Sequence, residues 1–256
     1  MYEHIKLSVQ DGIATITIDR PASNNALNAP MFRDLISAVE HCDADDTVKV
    51  LIVTGAGKNF SAGGDIKEMA SFDFISYDLS ILTGQASLAL RKCSKPVIAM
   101  VNGAAAGAGC GIALGADFRI MTEESCLLTA FSNVALPGDT GCIYHLKQIV
   151  GLARTIELMA LSAPVYGEDA LRLGLATRLA PDGKLAEETH TFAAKLLRRP
   201  LGALAMQKQL YYEVFYRDYM AYSRLEAENL ARAGASADHR EAVTAFLEGR
   251  KPQFNQ

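Results

Sequence analysis

The sequence predicts an α/β fold with a helical C-terminal region, and three observations lead to this prediction. Alternating or continuously apolar stretches typical of strands are spaced along the first half of the chain, with helical periodicity between them. From residue 185 onward nearly all of the chain has helical spacing. With 256 residues, 50% of them hydrophobic, the chain can bury a large core as one domain with a small appendage.

The elements follow from the local pattern in chain order. Residues 5–10 and 13–18 form two alternating stretches around an Asp-Gly pair, which is typical of a hairpin. Helical spacing over 29–41 gives an apolar face made of Met31, Leu35, Ala38 and Val39. Further strands are predicted over 48–54, 96–101, 118–121 and 176–179. A helix is predicted over 65–92, with a break near 71–77, and the Gly/Ala-rich run that follows residue 101 opens another. Further helices are predicted over 141–150, 151–161 and 167–173.

The late helices are interrupted at Pro200 and near Gly234. Because strands and helices alternate early and helices dominate late, we predict two regions. Residues 1–195 form the core, and residues 196–256 form a C-terminal helical region.

Composition excludes several classes of function. The net charge is -4 and no basic run occurs, so neither nucleic acid nor an anionic membrane is a predicted partner. Five cysteines stand at spacings that suit no zinc site, so no metal is predicted and the thiols are expected to be reduced. The N-terminus lacks the pattern of a signal peptide, and no apolar run is long enough to span a membrane. We therefore expect a cytoplasmic protein.

Two glycine-rich stretches, 60–69 and 103–117, carry the most information about function. The spacing Gly107-x-Gly109-x-Gly111 is not that of a dinucleotide fingerprint, and no Gly-Lys-Ser/Thr marks a P-loop. Small residues that let a helix pack on a sheet explain either stretch taken alone. The remaining interpretation is an oxyanion hole, in which backbone N–H groups of two turns converge on a carbonyl oxygen.

The two stretches together resemble the signature motifs of the enoyl-CoA hydratase/isomerase (crotonase) superfamily. The motifs are Phe60-Ser-Ala-Gly-Gly-Asp-Ile-Lys67 and Asn102 to Asp117, preceded by Asp19-Arg-Pro21 and Asn25-Ala-Leu27. The resemblance extends from residue 13 to about 254. It implies a crotonase-like spiral core of ββα units, a homotrimer or a hexamer built as a dimer of trimers, and an acyl-CoA thioester as substrate. It implies no cofactor beyond the coenzyme A of the substrate, and the C-terminal region becomes a trimerisation region.

Motif matching also implies individual roles. The N–H groups of Gly64 and Ala108 take the places of the two oxyanion donors. Substrate contacts fall on Ala26, Ala62, Asp65, Ile66, Lys67, Gly107 and Phe131. Asp65 is also predicted to cap the helix that follows it.

The acids that hydration needs are missing from this pattern. Family hydratases use two glutamates, and Gly111 stands at the first of these positions while Phe131, or at the latest Ser132, stands at the second. Asp139 remains, just before a predicted helix, where its local pattern alone favours a helix N-cap. Superfamily members that isomerise acyl-CoAs carry an aspartate at this point, so the resemblance favours a catalytic Asp139. Two other candidates are weaker. Glu68 lies one turn after Asp65 and faces either the acyl pocket or solvent, and we expect solvent, while His145 is expected to be structural.

We therefore predict an enzyme that shifts a double bond of an unsaturated acyl-CoA through an enolate, with Asp139 as the only base. One shuttling base suffices for a 1,3-proton shift, whereas hydration needs an acid and a base together. The members with an aspartate at this point also include an aryl-CoA dehalogenase, which needs a partner histidine in the helix before the second motif. Residues 84–88 of that predicted helix contain no histidine, so a dehalogenase is disfavoured. Two alternatives stay open: an enoyl-CoA hydratase, and an acyl-CoA-binding protein without activity.

Overall fold

The computed structural model describes residues 2–71 and 75–255, which form two sheets with helices on both faces of the larger one. The strands of the larger sheet stand in the order β1 (Ile5–Gln10), β2 (Ile13–Ile18), β3 (Val50–Gly55), β4 (Val97–Val101), β6 (Phe118–Met121) and β9 (Arg178–Leu179). The predicted hairpin is confirmed, because β1 and β2 pair antiparallel with Ile5 opposite Ile18. All other pairs in this sheet are parallel. Parallel strands require crossover connections, and the helices supply them.

A second, three-stranded sheet consists of β5 (Ala104–Ala106), β7 (Cys126–Leu128) and β8 (Val165–Tyr166). The sequence did not predict these strands. They are short, and the three alanines of β5 have no strand preference of their own. These strands form because a neighbouring strand is available to pair with them, as β5 pairs in parallel with β7.

Ten α-helices occur in the described part of the chain. They are α1 (Ala29–Ala44), α2 (Ile66–Met69), α3 (Tyr77–Lys92), α4 (Ala108–Gly115), α5 (Cys142–Leu161), α6 (Gly167–Arg172), α7 (Leu185–Leu197), α8 (Leu201–Phe215), α9 (Tyr219–Gly234) and α10 (Ala237–Glu248). The apolar face predicted for the helix over 29–41 is buried as expected, and Asn28 caps this helix by accepting from the N–H of Met31.

Most predicted helices are confirmed, with local differences. The two helices predicted on either side of Gly151 form one element, although Gly151 itself has non-helical angles of φ 73° and ψ 170°. The C-terminal helices also break at residues 216–218, which the sequence pattern did not indicate. Part of the break predicted near 71–77, residues 72–74, lies outside the described residues.

The large sheet separates two apolar layers. The main core lies between this sheet and the helices α1, α3 and α4, and a smaller cluster including Ile52, Ile98 and Ala193 lies under α7. Strand β3 is buried along its whole length because both of its faces are covered. The predicted boundary between residues 195 and 196 falls within the last turn of α7, and α9 beyond it packs on α3. Among the described helices, none is both long and apolar enough to cross a membrane.

Candidate active site

Two glycine-containing turns follow β3 and β4 and lie side by side. Ser61 pairs with Ala105 in an isolated parallel bridge, and the N–H of Ala106 donates to the Ser61 carbonyl at 2.8 Å. A Cβ on Gly63 would lie only 2.8 Å from the Ala106 carbonyl oxygen and 3.4 Å from the nitrogen of Ala108. Gly63 also has φ of +93°, so the close approach of the two turns depends on glycine at this position.

The turns present two backbone donors without protein partners. Gly107, with φ of +51°, leads the chain into α4, so the N–H of Ala108 stands at the first helical position and has no acceptor within the helix. In residues 2–71 and 75–255, nothing accepts a hydrogen bond from the N–H of Gly64 or of Ala108. Alanine is tolerated at 108 because the residue is helical. Two free donors on adjoining turns, one of them at a helix N-terminus, are compatible with the predicted oxyanion hole.

The turn at residues 20–27 supports the first of these donors. The N–H of Leu27 donates to the Gly63 carbonyl at 2.7 Å, and the N–H of Asp65 donates to the Leu27 carbonyl at 3.0 Å. The guanidinium of Arg20 forms an ion pair with Asp65 at 3.0 Å. Ala26, predicted to contact substrate, is buried in this turn with 8% exposure. Hydrogen bonds to Leu27 therefore fix the residues on either side of Gly64.

Asp65 is the predicted helix cap. Its side chain accepts from the N–H groups of Lys67 at 3.1 Å and Glu68 at 3.4 Å, at the start of α2. The same carboxylate borders the cavity that Gly64 lines. Of the other residues predicted to contact substrate here, Ala62 and Lys67 are exposed and Ile66 is half-buried. They form the outer rim of the site.

Gly64 and Asp139 both line one largely apolar cavity. Its walls come from four elements and the loops between them, and include Leu27, Phe32, Met69, Leu79, Leu136 and Leu230. A Cβ at residue 64 would meet the terminal methyl group of Met69, so a side chain there would have to displace that flexible side chain. A cavity with such a lining suits an apolar ligand.

Asp139 lines this cavity and is 6% exposed. It does not cap the helix: the N-cap of α5 is Gly141, and the Asp139 main-chain carbonyl accepts from the N–H of Cys142 at 2.9 Å. The hydroxyl of Thr140 donates to the Asp139 carboxylate. Burial raises the pKa of Asp139 to about 6, against the smaller lowering by Thr140. A carboxyl with this pKa takes up and releases protons near neutral pH.

The space beside Gly111 is occupied by the Asp139 turn. A Cβ on Gly111 would lie 2.6 Å from the Cβ of Thr140 and 3.0 Å from the Thr140 carbonyl oxygen. A glutamate, as family hydratases have at this position, therefore has no room here. Thr140, next to Asp139, occupies the space that the side chain of that glutamate would need.

Phe131, at the position of the second glutamate, is buried with 4% exposure. Its ring would lie 3.8 Å from a Cβ placed on Gly107, so it packs behind the second glycine turn. It does not line the cavity, which leaves its predicted contact with substrate without structural support.

Glu68 corrects an expectation. Instead of being solvated, it is half-buried and lines the same cavity as Asp139. Burial raises the pKa of Glu68, and the neighbouring Asp65 carboxylate raises it further. The sequence left a pocket-facing Glu68 as the less favoured alternative, because α2 has only one turn and its orientation depends on the Asp65 cap.

Glu226 on α9 is a buried carboxyl that the sequence did not indicate. It is 7% exposed, accepts from the N–H of Gly141 at 3.0 Å, and accepts from the Tyr222 hydroxyl at 2.6 Å. Burial raises the pKa of Glu226 to about 7, and the Asp139 carboxylate acts in the same direction. Because 85 residues separate Glu226 from Gly141, no local pattern predicts their contact.

The other polar groups near the site have structural roles. His145 is fully buried and contacts Ser87 at 3.1 Å and Tyr216 at 3.2 Å through its two ring nitrogens. Burial lowers its pKa, with Arg91 and Arg119 acting in the same direction, so the ring is neutral. The described residues contain no cluster of three His, Cys, Asp or Glu side chains that is able to hold a metal ion.

In a comparison with known families, residues 8–256 match the enoyl-CoA hydratase/isomerase family. Curated relatives differ in their activities. The chain is 31% identical to the trans-2-decenoyl-[acyl-carrier-protein] isomerase of Streptococcus mutans, over 99% of this chain and 98% of the relative. It is 34% identical to a probable enoyl-CoA hydratase of Rhodobacter capsulatus, over 99% and 98% of the two chains.

Solved structures agree with the family match. The crystal structure of an enoyl-CoA hydratase from Mycobacterium avium subsp. paratuberculosis superposes with a TM-score of 0.92, at 28% identity, covering 100% of both chains. The predicted α/β spiral core with a helical C-terminal region is confirmed by this likeness.

Proposed function

Because the chain belongs to the enoyl-CoA hydratase/isomerase family, we propose that it is an isomerase that shifts the double bond of an unsaturated acyl-CoA. The observation that carries this proposal is the pairing of one buried carboxyl, Asp139, with the free N–H of Gly64 across a single apolar cavity. The place of the first hydratase glutamate is filled by Thr140. A relative that is named an isomerase supports the same class of reaction.

The proposed reaction proceeds through an enolate. Asp139 in its ionised form removes a proton from the α-carbon of a 3-enoyl thioester, and the N–H groups of Gly64 and Ala108 stabilise the charge on the thioester oxygen. Protonated Asp139 then returns the proton to the γ-carbon, and the double bond moves into conjugation. Losing one oxyanion donor typically raises such a barrier by about 3 kcal/mol.

The cavity and its rim suggest how the substrate is held. The apolar walls fit an aliphatic or aromatic acyl chain. Ala62, Ile66 and Lys67 lie outside the cavity, where the coenzyme A arm would run. Ala26, Asp65 and Gly107 shape the turns on which the thioester rests.

Hydration is the second candidate function, and one observation favours it. Glu68 lines the same cavity as Asp139, so two carboxyl groups with raised pKa values face one acyl site. An acid and a base on one substrate are what addition of water needs. An acyl-CoA-binding protein without activity is the third candidate.

Assembly and location are part of the proposal. We propose a homotrimer or a dimer of trimers without a cofactor or a metal, in the cytoplasm. An exposed apolar face on α8, at Met206, Leu210 and Val214, supports association between copies of the chain.

Proton NMR in heavy water tests the reaction. The protein is incubated with a 3-enoyl-CoA and separately with a 2-enoyl-CoA, and also with the corresponding acyl-carrier-protein thioesters. We expect migration of the double bond with deuterium at the α- or γ-carbon. A 3-hydroxyacyl product would establish the hydratase instead, and binding without reaction would favour the third candidate.

The variant Asp139→Asn is the matched control, because it keeps the shape of the side chain and removes the base. We expect the turnover number to fall by about a hundredfold or more while affinity for the thioester is retained. Full activity of this variant would contradict the role of Asp139.

A further inference from the structure

The turn that carries Asp139 adopts an unfavourable backbone conformation. Thr140 has φ of +57°, a left-handed value that is unusual for a β-branched residue, and Gly141 follows with φ of +68°. Such conformations persist only where the surrounding structure holds them. The Thr140 hydroxyl donates to the Asp139 carboxylate, so the direction of that carboxylate depends on how residues 140 and 141 are held.

Two buried side chains hold the backbone of this turn. The carboxylate of Glu226 on α9 accepts from the N–H of Gly141 at 3.0 Å. The hydroxyl of Ser87 on α3 donates to the carbonyl of Thr140 at 2.7 Å. Thr140 is fully buried, and within residues 2–71 and 75–255 its carbonyl has no hydrogen-bond donor other than Ser87. Without the Ser87 hydroxyl this buried carbonyl would be unpaired, a situation that native structures avoid.

The hydrogen of the Ser87 hydroxyl has one favourable direction. The Ser87 oxygen lies 2.7 Å from the Thr140 carbonyl, 2.8 Å from the Tyr219 hydroxyl, 3.1 Å from Nε2 of His145 and 3.2 Å from the Gly84 carbonyl. Gly84 lies inside α3, where its carbonyl accepts the helical N–H, so the single hydrogen of Ser87 is directed to Thr140. Tyr219 and His145 then both donate to Ser87 and fill its two lone pairs.

This hydrogen-bond pattern sets the tautomer of His145. Burial keeps the pKa of the ring low and the ring neutral, so it carries one N–H group. If Nε2–H donates to Ser87, Nδ1 accepts from the Tyr216 hydroxyl at 3.2 Å. The other tautomer would require Ser87 to donate to His145, and the Thr140 carbonyl would lose its donor. The tautomer of His145 therefore reports the direction of the Ser87 hydroxyl.

We infer that Ser87 is a positioning residue, whose hydroxyl fixes the Thr140 carbonyl and thereby directs the Asp139 carboxyl into the cavity. This inference rests on the proposed isomerase function. Ser87 does not line the cavity, so it acts through the turn and not on the substrate. Displacement of a catalytic group by about 1 Å can cost about a hundredfold in rate, so a loosened turn should slow the reaction.

Kinetics of Ser87→Ala test the inference. We expect kcat with a 3-enoyl-CoA to fall about tenfold to a hundredfold. The Kd of a saturated acyl-CoA of the same length, measured by calorimetry, should change by less than about twofold, because the cavity wall is intact. Ser80→Ala is the matched control, since Ser80 is a buried serine on the same helix whose hydroxyl donates to the Ser76 carbonyl. This control should keep the wild-type kcat.

A second measurement uses only the wild type and does not depend on whether a variant folds. Proton–nitrogen correlation NMR of protein with nitrogen-15 histidine distinguishes the two tautomers of a neutral ring. The His145 signal is assigned through its proximity to the Tyr216 and Tyr219 rings, whose centroids both lie 5.7 Å away. We expect the Nε2–H form. The Nδ1–H form would overturn the inference, because Ser87 would then donate to His145.

Two kinetic results would also overturn it. One is a wild-type kcat in folded Ser87→Ala. The other is a loss of thioester affinity as large as the loss of kcat, which would indicate a general disturbance of the fold. Failure of the proposed function has a different signature, because Asp139→Asn would then retain full turnover. An inactive Asp139→Asn with an unchanged Ser87→Ala contradicts only the role of Ser87.

Discussion

The carboxyl of Asp139 is buried and unpaired, which suits the role of base that we propose for it. No cation neutralises it within the described residues, and the Thr140 hydroxyl is its only side-chain donor there. Burial raises its pKa to about 6, so the ionised form is destabilised relative to water and is a stronger base than an exposed aspartate. This raised pKa of Asp139 affects both the activity and the stability of the protein, and the two depend on pH in opposite directions.

Activity should rise with pH. Asp139 acts as a base only when it is ionised, so kcat/KM for isomerisation is expected to increase as pH rises through about 6, the pKa that burial gives this group. The measurement is a pH–rate profile with a 3-enoyl thioester in the wild type. A profile that is flat between pH 5 and 8 would argue against a buried carboxyl as the base.

Stability should show the opposite trend. A raised pKa in the folded state means that the contribution of Asp139 is fully present below the ordinary value of 3.8 and is lost as pH rises through about 6. Asp139→Asn does not titrate. We expect it to match the wild type near pH 4 and to exceed its free energy of unfolding by about 3 kcal/mol near pH 8. Urea unfolding at equal protein concentration measures both differences, and equal stability at pH 8 would contradict the burial argument.

At the scale of elements, α4 and the turn before α5 fit together only because residue 111 lacks a side chain. The Cβ of Thr140 occupies the space toward which a side chain at 111 would point. The two elements therefore pack closely enough to bring Asp139 to the cavity that Gly64 lines. Glycine at residue 111, where family hydratases carry glutamate, therefore changes the packing of α4 as well as the chemistry of the site.

We expect Gly111→Glu to create no hydratase and to impair the existing activity. Even Gly111→Ala places a Cβ 2.6 Å from Thr140 Cβ, which overpacks the contact and should lower the free energy of unfolding by about 1–3 kcal/mol. Displacement of Thr140 moves Asp139, so turnover should fall as well. Gly202→Ala is the control, because nothing lies within 4 Å of its Cβ. Stable, active Gly111→Ala protein would show that the two elements adjust.

At the scale of the whole molecule, the C-terminal helices serve two surfaces. The inner face of α9 closes the acyl cavity through Leu230 and holds the aspartate turn through Glu226. On α8, the side chains of Met206, Leu210 and Val214 stand one turn apart and are between 62% and 69% exposed. Such a face is typical of contacts between subunits.

Leu210→Glu should therefore reduce the oligomer to smaller species. A charge in the middle of the apolar face must lose its water when copies associate, and this penalty opposes assembly. Light scattering after size-exclusion chromatography gives the mass in solution. Val9→Glu, which adds the same charge to an exposed apolar position on β1, should keep the wild-type mass. A wild type that is monomeric at micromolar concentration would contradict the proposed trimer.

Much of this structure was determined locally by the sequence. The strands of the larger sheet, the apolar face of α1 and the cap at Asp65 follow from side-chain periodicity and hydrogen bonding within a few residues, which the sequence displays directly. The glycine turns also follow, because Gly63 and Gly107 adopt angles that other residues avoid.

Only the tertiary structure decided the chemistry of the site. The burial of Asp139, the entry of Glu68 into the acyl cavity and the contact of Glu226 with Gly141 depend on segments far apart in the chain. A local pattern allowed Asp139 to be a helix cap, and the packing of α4 against Thr140 made it a buried carboxyl instead. The pKa of a carboxyl depends on the water and charges around it, and these are properties of the packed chain.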